Sequence, residues 1–118
     1  MTTAVTALKG QPQSFTIVDP TAGVENVTKL NVLIGTVSGG PYPTSCSVDA
    51  ADVTTEDSTG TVTVPVAKLT PVPTFQDGGT YYAVANATNA TATGPNSPEI
   101  GFSIPLPTPS APTGFSVA

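Results

Sequence analysis

The densest group of residues able to do chemistry is Asp49-Ala50-Ala51-Asp52-Val53-Thr54-Thr55-Glu56-Asp57. Hard cations take about six to eight oxygen ligands, so Asp49, Asp52, Glu56 and Asp57 are the candidate metal ligands of this chain. Their spacing fits no EF-hand loop, which needs a glycine turn and a terminal glutamate at fixed positions. The simpler expectation is a solvated loop that keeps a chain with only 9% charged residues soluble. We therefore expect no metal and no cofactor. As a general acid–base pair these carboxylates lack a neighbouring aromatic cleft to hold a substrate.

What is missing narrows the chemistry further. The chain has no histidine, which removes the commonest general base and metal ligand. The single cysteine, Cys46, cannot form an internal disulfide or a cysteine-based zinc site. It lies on an alternating segment beside Val48 and reads as a small buried hydrophobe. No catalytic residues are expected, and the chain is expected not to be an enzyme. The only basic residues are Lys9, Lys29 and Lys68, against eight carboxylates, for a formal charge of −5. With no basic patch to release counterions, neither nucleic acid nor an anionic membrane is an expected partner.

Two places read as partner contacts. Tyr42 stands between Pro41 and Pro43, after Gly39-Gly40. An aromatic on a proline-fixed loop is either a plug over the core or an exposed contact, and the sequence leaves both open. The second place is the end of the chain. Residues 105–112 hold four prolines, Pro105, Pro107, Pro109 and Pro112. Such a segment is a semi-rigid extended spacer. It leads to Phe115 and Val117, apolar residues on one face of a short strand, with Leu106 as a third anchor.

The elements that must position these residues read as strands. Threonine and valine dominate, and branched side chains favour the pleated surface. Residues 3–8, 14–18, 29–37, 45–49, 61–66, 80–88 and 99–104 are the expected strands. Val5, Phe15, Ile17, Cys46 and Val48 face inward, as do Val62, Val64 and Val66, and then Ile100, Phe102 and Ile104. Residues 29–37 are apolar on both faces, which suits a central strand. Pro65 lacks an N–H, so that part of the strand belongs at an edge or a bulge. Asp77-Gly78-Gly79 marks a turn. Seven short antiparallel strands point to an all-β, immunoglobulin-like sandwich over residues 1–104, with a Pro-rich tail over 105–118. The start of the chain has neither a signal-peptide pattern nor a run near the ~18 apolar residues of a membrane helix. That pattern is expected of a protein made in the cytoplasm. The Asn-x-Thr sites at Asn26, Asn86 and Asn89 are read as chance in a threonine-rich chain.

Leu69 and Pro71, Thr80-Tyr81, then Ala83, Ala85, Ala87 and Asn89, and Gly94-Pro95-Asn96-Ser97-Pro98 together resemble the last third of a fibronectin type III domain. The resemblance implies that Tyr81 is the corner tyrosine, its hydroxyl bonded back to the preceding loop. Tyr82 takes that role if the register slips by one. The chain departs from the family in having no tryptophan. Because Ala83, Ala85 and Ala87 are small, the facing sheet is expected to supply bulk from Leu30, Val32, Ile34 or the phenylalanines. Pro109 to Val117 resembles the opening strand of a further module of this type.

A short, acidic, disulfide-free module without an export signal resembles the immunoglobulin-like domains of bacteriophage structural proteins. That resemblance implies a non-enzymatic capsid decoration protein of the virion, made in the host cytoplasm. Its expected partners are major capsid or other virion proteins and neighbouring copies, met through Tyr42, Leu106, Phe115 and Val117. The competing expectation is a spacer or carbohydrate-binding accessory module of a larger extracellular bacterial protein, with a weak glycan contact.

Overall fold

The computed structural model describes residues 4–18, 26–53 and 60–117. Thr3, at the start of the first expected strand, and the carboxylates Glu56 and Asp57 lie outside the described residues.

The valine–threonine alternations form strands, seven among the described residues. They are β1 (Val5–Ala7), β2 (Ser14–Val18), β3 (Lys29–Gly35), β4 (Thr44–Asp49), β5 (Thr61–Pro65), β6 (Thr80–Thr88) and β7 (Ile100–Ser103). The helical content among these residues is two single turns of 3-10 helix, Ala50–Asp52 and Val66–Lys68. The chain is thus all-β, as its branched residues predict. β3 stops at Gly35, two residues short of its expected end, and the Pro41 carbonyl packs where a side chain on Gly35 would go.

Five strands form one sheet in the order β1-β7-β6-β3-β4, and β2 and β5 form a second. The apolar β3 is central, between β6 and β4. β5 pairs only with β2, which leaves an edge for Pro65. The expectation of a wholly antiparallel fold is corrected at one place. β1 runs parallel to β7, with Val5 opposite Gly101 and Ala7 opposite Ser103. Both strands run toward the same end of the molecule, and residues 8–13 then carry the chain across to the other sheet. Gln11 ties that crossing down, its amide donating to the Phe75 carbonyl and to Asp77 Oδ1, both at 3.1 Å.

The core lies between the sheets. Phe15, Val62, Val64 and Val66 from one side meet Leu30, Val32, Ile34, Cys46, Val48, Leu69, Ala83, Phe102 and Ile104 from the other and its flanks. Each large apolar side chain buried here contributes roughly 1.5–3 kcal/mol. The exposed pair Lys29–Asp49, at 3.7 Å, belongs to a class contributing about 0–1 kcal/mol. Packing, not charge, holds this fold. Leu30, Val32 and Ile34 do not face the alanines from the opposite sheet, as expected. They sit beside Ala87, Ala85 and Ala83 on the neighbouring strand of the same sheet. Bulk and gap alternate across β3 and β6, and Phe15 and the β5 valines fill from the other layer.

Two inward assignments are also corrected. Val5 is exposed, because β1 lies at the sheet edge beyond β7. Ile100 is 51% exposed although it shares a face with the core, because the two-stranded second sheet does not extend over it. Leu8 and Ile17 are partly buried against the core. Beyond Ile104, residues 105–117 form no strand and are exposed. The Cα radius of gyration is 17.8 Å, against roughly 13–14 Å for a compact chain of this length. The longest dimension, 73 Å, is more than twice either of the others.

Candidate functional site

The carboxylate segment does not assemble a cation site among its described members. Asp49 pairs across the strand with Lys29. The Asp52 backbone carbonyl, not its side chain, accepts a hydrogen bond from Lys68 Nζ at 2.9 Å. Among the described residues no group of three or more potential ligands comes together. Glu56 and Asp57, the remaining candidates, lie outside the described residues.

Cys46 is 1% exposed, flanked in register by Val32 on β3. Burial pushes its thiol pKa up, the opposite of what a reactive thiolate needs.

Tyr42 is half-buried, and its hydroxyl donates to Glu99 Oε1 at 2.6 Å. The same carboxylate accepts from the Gly39 N–H at 2.7 Å and from Ser38 Oγ at 2.9 Å. One residue ahead of β7 thus gathers three donors from the β3–β4 loop. The tyrosine ring packs over Gly40. The hydrogen bond to Glu99, with burial and the carboxylate charge adding to it, raises the phenol pKa above its ordinary value. Nothing local in the sequence announces Glu99, because its partners lie about 60 residues away.

Tyr81 and Tyr82 occupy opposite faces of β6. The Tyr81 hydroxyl accepts from the Gln76 backbone N–H at 2.8 Å. Its ring stacks on Phe102 and meets Phe75 edge-on. Tyr82 lies over Gly101 on the other side.

The tail residues are far more exposed. Phe115 is 97% and Val117 95% exposed. Leu106 is 73% exposed, but one side of it packs on Gly78, whose φ of +80° and lack of Cβ admit the contact. Tyr42, Leu106 and the Phe115–Val117 pair are not brought together into one patch.

Two grooves flank β2. One, of about 540 Å³, is polar at its far wall, where Asn86, Asn89, Thr91, Thr93 and Asn96 line it. Its amides are largely bonded to one another: Asn31 Nδ2 donates to Asn86 Oδ1 at 2.8 Å, and Asn86 Nδ2 to Asn96 Oδ1 at 3.0 Å. The other, of about 270 Å³, is apolar, with Phe15, Ile17 and Val18 on one wall and Ala83, Pro98 and Ile100 on the other. Neither groove was visible in the sequence. Each depends on how far the second sheet covers the first.

Neither a family model, nor a curated protein, nor a solved structure matches this chain.

Proposed function

We propose that this chain is a non-enzymatic structural protein of a bacteriophage virion, a capsid decoration protein that displays an immunoglobulin-like domain on the particle surface. In this reading residues 1–104 are the displayed sandwich and residues 105–118 are the attachment arm. The observation that carries it is the exposed segment after Ile104, in which Phe115 and Val117 are almost fully exposed. Large apolar side chains so fully exposed at the end of a stiff spacer mark a contact in search of a partner.

The sandwich reading draws support from the strand order. In this reading β2 and β5 are strands B and E of one sheet, and β3, β6 and β7 are strands C, F and G of the other. The Tyr81 hydroxyl, bonded five residues back in the chain, stands where a tyrosine corner would. A rigid scaffold with one attachment arm suits a lattice, where many weak contacts add through geometry. The partners are then capsid or other virion proteins and neighbouring copies.

The test is deletion of residues 105–118. The expected result is loss of incorporation into particles, with the melting curve unchanged at concentrations where the native chain is monomeric. A shortened protein that decorates particles at full occupancy would remove the attachment role. A second reading, a spacer or glycan-binding accessory module of an extracellular protein, has the Asn- and Thr-lined groove in its favour. Glycan-array binding lost on Asn96→Ala would favour it.

A further inference from the structure

Among the described residues the structure leaves one strand edge unpartnered beside an apolar groove, and one exposed tail segment, Phe115-Ser116-Val117, whose apolar alternation would match it as a strand. β2 pairs with β5 on one side and with no strand on the other among the described residues. The Val66 N–H donates to the Gln13 carbonyl across that ladder at 3.0 Å. Residues of an antiparallel pair alternate between bonded and non-bonded positions. Phe15 and Ile17 therefore bond toward β5. The N–H and C=O groups of Thr16 and Val18 point to the open side. Along that side runs the 270 Å³ groove, with Val18 and Ile100 59% and 51% exposed.

We propose that the tail strand around Phe115-Ser116-Val117 of a second copy of this chain adds to the free edge of β2, and that two copies exchange tails reciprocally. The groove needs two things at once: backbone partners for Thr16 and Val18, and apolar side chains at alternate positions to fill the gap between the sheets. An added strand supplies both. Phe115 and Val117 point inward beside Phe15 and Ile17, and Ser116 points outward beside Thr16. At 270 Å³ the groove is below the roughly 300–1,000 Å³ of small-molecule sites.

The occupant comes from another copy because of how the tail leaves home. Ile104 is locked to the Gly78-Gly79 turn, accepting from the Gly78 N–H at 2.8 Å and donating to the Gly79 carbonyl at 2.9 Å. The four prolines of residues 105–112 then extend the chain about 3.1 Å per residue, some 25 Å away from its own core. Charge permits the encounter. Neither residues 105–117 nor the groove's named walls carry a charged side chain, although each copy is acidic. A buried phenylalanine accounts for about 150–250 Å², and two exchanged tails bury two of them.

This inference rests on the tail-mediated attachment reading and names the partner of that tail. Its test uses the full chain alone, so that it fails or holds separately from incorporation into particles. Sedimentation velocity should show a concentration-dependent dimer that added salt does not dissolve. Phe115→Asp should weaken it by roughly a hundred- to ten-thousandfold, since each dimer loses two buried phenylalanines and each is worth roughly ten- to a hundredfold. Thr16→Pro removes a donor from the open edge and none from the β5 ladder, and should also abolish the dimer. The two variants mixed should form a 1:1 dimer tighter than either variant forms alone and weaker than the native one, since it holds one intact tail–edge contact of the two. Should Thr16→Pro fail to fold, amide exchange reads the same edge: Thr16 and Val18 should be protected in the native dimer and not in Phe115→Asp. A native chain that stays monomeric at millimolar concentration would overturn the proposal. So would a Phe115→Asp chain that dimerises as well as the native one, a mixture that dimerises no better than either variant alone, or an unprotected edge in the dimer. A monomeric chain that still decorates particles would sink the exchange and leave the attachment reading standing.

Discussion

The Tyr81 hydroxyl accepts a hydrogen bond from the backbone N–H of Gln76, 2.8 Å away and five residues earlier. That bond closes the loop ahead of β6 onto its own strand. The ring beneath it joins Phe75 and Phe102 in an aromatic cluster at the same end of the sandwich. Tyr81→Phe keeps the ring and removes only the acceptor. The expected loss is about 1 kcal/mol by denaturant unfolding, the low end because Gln76 is exposed and water partly replaces the hydroxyl. Tyr82→Phe, on the opposite face, should change stability by less than half as much.

Tyr42 should titrate above the ordinary tyrosine range. Its neutral hydroxyl donates to Glu99, and its phenolate would face that carboxylate. The folded pKa is raised above the unfolded one, so the linked stability is present in full below the unfolded value near 10. It is lost as pH rises through the folded value. Glu99→Gln should move the phenolate absorbance transition of Tyr42 back toward the ordinary range. It should also weaken the anchoring of Ser38 and Gly39, seen as faster amide exchange at Gly39.

Cys46 should resist thiol reagents until the protein unfolds, since it is 1% exposed and its thiol is pushed up by burial. Cys46→Ser puts a hydroxyl in the same place among Val32 and its neighbours. The expected cost is about 1–3 kcal/mol if that hydroxyl finds no partner. Labelling by a thiol reagent along a denaturant series should follow global unfolding.

Core and tail should separate cleanly by mutation. Leu69 is 1% exposed, and Leu69→Ala should cost about 2–5 kcal/mol, the range for emptying a leucine site that cannot collapse. Phe115→Ala removes a larger side chain that is 97% exposed. It should leave the unfolding free energy of the monomer unchanged within about 0.5 kcal/mol.

Which segments are strands and, for most of them, which face is buried can be read from the order of residues alone. That information is local: a side-chain period of two allows one inward set per strand. Residues 61–66 show this plainly, with Val62, Val64 and Val66 buried and Thr61, Thr63 and Pro65 less so. The Asp77-Gly78-Gly79 turn is equally local, since φ = +80° at Gly78 favours glycine.

Strand pairing, by contrast, is set by the three-dimensional packing. Val5-Thr6-Ala7 alternates as well beside one neighbour as another, and its parallel seat on β7 follows from where residues 8–13 cross between the sheets. That choice leaves β2 with an open edge and Ile100 uncovered, which no alternation in either strand could foretell. The Tyr42–Glu99 bond spans 57 residues. A hydrogen bond between distant side chains depends on the three-dimensional placement of both strands that carry them, and a period read along one strand carries no information about the other.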